Sequence, residues 1–423
     1  MKKALLCIAV FCAITGYIYG DSAVDSTRTM SYNHLYAIRN DFNGNDPVAR
    51  HYWLKFKSHS TKDDSLEILE TDGIIDDIFE ENLSNTHKYA KEAIWGAVGL
   101  DMPYNVTDSM KLDLARDYLL VPDNPEDYLN LEEIWDYYGI TTNSGCTNIG
   151  VLTINVALMV DMLWNYVNDT DRIAMCAKLD SLADTLHYYI DRNKETWGLG
   201  DNPRFFMPNA PSAALGYAGC VLGDTCHINF AKEMIFDYEI PYLEDPQYGF
   251  LDFMTTNANY LGEGLTYFGC NTYSGVYVFF SAYLRMYGEN LYNRDIVKNT
   301  ISNVVNMIRP DMRQLTLDDS YSHVNPPPSS YFYQEEFIQA LWEFYYNTNN
   351  PTIDNNIRWY FNEFKNRYNK YPPLVHWRTY FQPIFSYNPD KNISILDNPN
   401  YTIPESITNG SYTDDEFTVL EMV

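Results

Sequence analysis

Residues 151–166 read VLTINVALMVDMLWNY, and this run decides the fold. It is almost wholly apolar apart from Asn155 and Asp161, and a helix apolar on every side is a buried helix. Asn168-Asp169-Thr170-Asp171 then turns the chain, and Arg172 to Tyr189 carries apolar residues at the spacing of an amphipathic helix. Together they predict a helical hairpin with one member inside a larger core. Asp161 must find a polar partner there or lose its hydration uncompensated. It is either a buried capping acid or a group pointing into a cavity, and the structural role is expected.

Working outward, one design occurs twice. Trp197 to Asn209 is a loop dense in polar and aromatic groups, and it leads into Ala210 to Leu222, whose Ala213, Ala214, Gly216, Ala218 and Gly219 permit close helix approach. Asn259 to Gly269 is a glycine-rich, tyrosine-bearing loop, followed from Val276 by Phe280, Tyr283, Leu284 and Tyr287 at helical spacing. Its glycines free the backbone, while Tyr260, Tyr267 and Glu263 suit a polar ligand. The plain alternative is a tight helical turn with buried tyrosines.

Earlier segments, His34 to Phe42, Ala49 to Lys57 and Thr86 to Val98, are also helical in spacing, with a further helix start at Thr107-Asp108-Ser109. Phe337 to Tyr346 and Ile357 to Tyr368 are amphipathic. The expected fold is therefore all-α: an incomplete α/α toroid of helical hairpins over residues 21–385, with polar loops lining one cleft. Residues 386–423, rich in Asn, Asp, Pro and Thr, read as a linker, and Ser411 to Met422 as the first strand of a β-sandwich.

The first 20 residues place Lys2 and Lys3 before an apolar run from Ala4 to Ile14, with Gly16 and Gly20 as small residues for cleavage. This is the pattern of a signal peptide and too short for a membrane span; a secreted or periplasmic protein is expected. The formal net charge of −28 argues against nucleic acid and anionic membranes as partners. Beyond the signal lie Cys146, Cys176, Cys220, Cys226 and Cys270, an odd set without CxxC or Cys/His metal spacing, so no metal or cofactor is expected. Cys220 and Cys226 are close enough in sequence for a local disulfide or for two buried thiols. The 37 tyrosines and 8 tryptophans are compatible with stacking on sugar rings.

These stations, in this order, resemble the heparinase II/III-like polysaccharide lyases, which join an incomplete α/α toroid to a C-terminal β-sandwich. Asp161 and Arg172 look like the family's "YD…eR" hairpin. Asp201-Asn202-Pro203-Arg204 with Ala213 to Gly219 is similar to its "NHR…ALGLAG" segment, and Tyr260 to Tyr267 to its "Y-x-EG-x-x-Y" loop. Asp318-Asp319-Ser320 resembles its "GDS" loop. Two departures stand out: Pro203 occupies the place of the family's catalytic histidine, and a toroid with its sandwich largely absent is expected.

The resemblance implies β-elimination on an acidic polysaccharide or oligosaccharide. Asn202 and Arg204 would neutralise the uronate carboxylate, and Tyr267, or alternatively Tyr260, would transfer the proton. Trp197 is placed to stack on a sugar, and Glu263, Asn209 and His323 complete the candidate binding set, His323 also as a base. His227 and His323 each read more readily as surface or turn residues. Two other readings stay open: a toroid glycoside hydrolase using Glu263 with Asp201 or Asp319, and a carbohydrate-binding protein without catalysis.

Overall fold

The computed structural model of the chain describes residues 24–45, 48–50, 77–99, 108–121, 143–195, 209–239, 248–249, 274–298, 346–369, 371, 387–388, 391, 398–404, 411–413 and 418–420. These residues are predominantly helical. The long helices are α1 (Tyr32–Asn40), α2 (Asp77–Val98), α3 (Asp108–Leu120), α4 (Asn143–Leu163), α5 (Asp169–Asn193), α6 (Asn209–Leu222), α7 (Thr225–Lys232), α8 (Ser274–Tyr287) and α9 (Pro351–Tyr368). Among the described residues no helix is long and apolar enough to cross a membrane.

The expected hairpin at 151–189 is α4 and α5. Every residue from Asn155 to Leu163 is buried, as the all-round apolar pattern requires. The turn is shorter than its polar residues imply, because Asn168 is the N-cap of α5 and accepts from the Asp171 amide at 3.0 Å. Arg172 closes the same turn from the helix side, donating to the carbonyls of Trp164 and Val167 and pairing with Asp169 at 2.7 Å. It does not bond Asp161.

The small residues of α6 put it at the centre, packed against α4, α5, α7 and α8. A Cβ at Gly216 would stand 2.8 Å from the Phe279 ring of α8, and one at Gly150 of α4 would stand 3.2 Å from Cα of Pro211 in α6. Along the other flank α2 packs on α4, and α3 folds back on α2. The row α2, α4, α6, α8 is thus made of successive neighbours, with α3, α5 and α7 as the returns. Gly223, at φ 77°, makes the left-handed turn that sends α7 back along α6.

Three helices of this row run in one direction. From α4 to α6, Gly150 meets Pro211 near the two starts and Asp161 meets Tyr217 farther along. From α6 to α8, Gly216 meets Phe279, while Cys220, later in α6, lies within electrostatic reach of Arg285 and Tyr287 at the end of α8. The starts of α4, α6 and α8 therefore lie at one end and their last turns at the other.

The segment from Val24 to Arg39 covers the far end. Arg28 donates to the Val221 carbonyl at the end of α6, and its backbone N–H to the Asp161 carbonyl in α4. Arg39 donates to the carbonyls of Ala97 and Val98 at the end of α2. Cations on the orphan carbonyls of helix C-termini are favourable both as hydrogen bonds and against the helix dipole. Two arginines lie over the Trp164 ring, Arg28 at 4.6 Å and Arg172 at 5.4 Å from its centroid.

Near the C-terminus, α9 begins at Asn350, which caps Thr352 and Ile353, and buries Ile353, Ile357, Tyr360, Phe361 and Phe364. Part of the polar tail is bonded to it: Tyr401 to Glu363 at 2.5 Å, Thr402 to Asn355 at 2.8 Å and Lys391 to Asp354 at 3.3 Å. The stretch expected as one strand is two short ones, Ser411–Thr413 and Thr418–Leu420, paired antiparallel with Tyr412 opposite Val419. The acidic residues Asp414, Asp415 and Glu416 interrupt the apolar alternation between them.

Candidate functional site

The candidate residues Trp197, Asn202, Arg204, Tyr260, Glu263, Tyr267 and His323 lie outside the described residues, as does the Asp318-Asp319-Ser320 loop. Asn209 opens α6. What the structure defines is the frame to which two of these loops are joined. Residue 208 is covalently followed by the start of α6 and residue 273 by the start of α8, and those starts lie at one end of the row. A helix start carries backbone N–H groups without intrahelical partners and the positive pole of the helix dipole, which favours an anion.

Toward the opposite end, where the last turns of α4 and α8 lie, the interior holds a polar hub around Asp161, whose side chain is fully buried. Its carboxylate accepts from the Thr29 amide at 2.9 Å, the Thr29 hydroxyl at 2.5 Å and the Tyr217 hydroxyl at 3.0 Å. Arg285 donates to the Thr29 carbonyl at 3.1 Å and brings its charge beside the acid. Burial pulls the Arg285 guanidinium below its usual range, and the Asp161 charge opposes that shift. Burial, then the Asp161 charge, push the Tyr217 phenol well above its usual range. A phenol held protonated against a carboxylate is a structural donor, so Asp161 has the capping role expected of it.

Cys220 and Cys226 are free thiols. Cys220 is buried, and burial raises its thiol far above the ordinary range; Cys226 is exposed in the first turn of α7. One thus faces the core and the other solvent, which accounts for the absence of the local disulfide.

His227 departs from expectation. Although it follows the Gly223 turn, it is 3% exposed, because α7 folds back onto α5 and α6 and carries it into their junction. There its Nδ1 lies 3.0 Å from Nδ1 of His187, and the His187 ring stacks on Phe230 with centroids 4.0 Å apart. Burial, then the neighbouring His227, lower the pKa of His187. Asp180 and Asp184 of α5 stand beside the pair. The sequence signal for this constellation is the Asp180, Asp184, His187 stripe at spacings of four and three on one helix face. A search for Cys/His spacing passes over it, because its other half comes from a helix about 40 residues away.

No family model matches the chain, and no curated protein matches it in sequence.

Proposed function

We propose that the chain is a secreted or periplasmic polysaccharide lyase of the α/α-toroid type, cleaving uronic-acid-containing glycans by β-elimination. The observation that carries this reading is the common direction of α4, α6 and α8. The polar stretch with Trp197, Asn202 and Arg204 runs into the start of α6, and the stretch with Tyr260, Glu263 and Tyr267 runs into the start of α8. Alternation of these helices with the returns α5 and α7 supports the hairpin order that a toroid would have. Two helix starts side by side supply a local positive field, which answers the objection that a chain of net charge −28 would repel a polyanionic glycan.

In this reading Asn202 and Arg204 hold the uronate carboxylate, by hydrogen bond and by charge-assisted fork, so that the proton on C5 becomes acidic. Tyr267 as phenolate takes that proton. The electron pair left on C5 forms the C4–C5 double bond as the C4–O4 bond breaks, and O4 leaves with a proton from the same hydroxyl. Arg204 is also the cation that would lower the phenol pKa from about 10.

The test is ultraviolet absorbance of unsaturated uronate, measured with the purified protein on alginate, heparan and chondroitin, beside Tyr267→Phe and Arg204→Ala. Appearance of the chromophore with the wild type and its loss with Tyr267→Phe is the expected result. New reducing ends without the chromophore would sink elimination in favour of hydrolysis. Binding without either product would establish the second reading, a glycan-binding toroid, which Pro203 at the place of the family histidine favours.

A further inference from the structure

We infer that Asp180, Asp184 and His227 form a binding site for a first-row divalent cation of the zinc class, bridging α5 and α7. This site is independent of the glycan reading. One carboxylate oxygen from each aspartate and one ring nitrogen of His227 all lie within 4.8 Å of one another. Asp180 and Asp184, four residues apart, share a face of α5 and are exposed, so an ion can arrive from solvent and keep water in its remaining positions.

The histidine points independently to a ligand. Nε2 of His227 is buried and has no hydrogen-bond partner. It lies 3.5 Å from Oδ1 of Asp184 and 3.8 Å from Oδ2 of Asp224. N–H···O hydrogen bonds cluster near 2.9–3.0 Å. Two ligand atoms each about 2.0–2.1 Å from a tetrahedral zinc, by contrast, stand roughly 3.4 Å apart. The other ring nitrogen is engaged by His187, 3.0 Å away. With the proton on Nδ1 of His227, Nε2 turns a bare lone pair toward the acids, the arrangement of a metal-ligating imidazole whose second nitrogen donates outward. His187, fixed by its stack on Phe230, is then a positioning residue.

Asp224 is engaged as the N-cap of α7, where its Oδ1 accepts from the amides of Cys226 at 2.7 Å and His227 at 3.4 Å. The two-carboxylate, one-imidazole set selects zinc, cobalt or manganese over calcium, which takes oxygen alone.

The experiment is a titration of the full chain with Zn2+ by calorimetry and with Co2+ by visible d–d absorption. Asp184→Asn and Asp180→Asn are compared with Asp295→Asn, an exposed acid on another face. One ion per chain, a d–d band, and affinity weakened by about 10–100-fold or more in Asp184→Asn and Asp180→Asn only are expected. Equal binding by all three variants would show general attraction of cations to an acidic surface and overturn the site, as would the absence of the band. Both decisive substitutions are at exposed positions, and circular dichroism verifies that the variants remain folded. His187→Phe is expected to weaken Zn2+ about 10-fold while leaving the single-ion stoichiometry intact.

Discussion

The carboxylate of Asp161 in α4 accepts a 3.0 Å hydrogen bond from the hydroxyl of Tyr217 in α6, with both side chains fully buried. The same carboxylate takes both donors of Thr29, and Thr29 in turn accepts from Arg285 of α8. A single acid thereby ties together the entry segment and three helices of the central row. The desolvation of its charge is offset only while all of these partners stay in place.

Asp161→Ala is expected to cost about 3–5 kcal/mol, because it leaves the buried Arg285 guanidinium without its counter-charge. Tyr217→Phe removes one donor to a charged acceptor and should cost about 1.5–3 kcal/mol. Urea unfolding midpoints at constant m-value measure both. A loss below about 1 kcal/mol for Asp161→Ala would mean that the hub relaxes around an empty position, contrary to the role assigned to it.

Gly216→Ala sets two effects against each other. Alanine improves helix propensity by about 1 kcal/mol, while its methyl would meet the Phe279 ring at 2.8 Å. Phe279 is itself packed against Phe280 and Tyr283, with centroids 5.8 Å apart in both pairs, so it has little room to retreat. Overpacking costs about 1–3 kcal/mol and outweighs the gain. The expected result is net destabilisation of Gly216→Ala that is relieved when Phe279→Leu is added. A double-mutant cycle without coupling would show that the two helices separate freely.

The central hairpin is legible because a helix buried on all sides must be apolar on all sides, and Ala213 to Gly219 announce their central place by lacking bulk. Asp161 is legible as an anomaly in that run, its partners less so: Thr29 is 132 residues away, and Arg285 lies 256 residues from Thr29. No periodicity encodes such meetings. His227 reads as a surface residue for the same reason, since its burial depends on how α7 folds back, not on its neighbours in sequence. The π turn at Asp41–Asn45, with Gly44 at φ 137°, interrupts a segment whose spacing predicts continuous helix to Phe42. Of the candidate glycan site the described residues include Asn209 alone.

Acid sensitivity follows from His34. Its imidazole is buried in α1, with Nε2 unpaired, beside the Tyr387 ring and within reach of the Arg285 charge. Burial, then Arg285, lower its pKa from 6.5 to about 3. Between those values the unfolded chain carries a proton on this residue that the folded chain does not, so stability falls as pH falls through that window. The penalty is absent above pH 6.5 and complete below about 3. Asp108 contributes the opposite sign: burial raises its carboxyl to about 6 despite Arg39, so from about 6 down to 3.8 the folded chain holds the extra proton and gains stability. His34→Phe should therefore flatten the acid limb of unfolding free energy against pH, by up to about 1.4 kcal/mol per pH unit. Asp108→Asn should steepen it between pH 6 and 3.8. Urea titrations at a series of pH values measure both slopes, and an unchanged acid limb in His34→Phe would show that the imidazole takes up its proton without leaving the folded state.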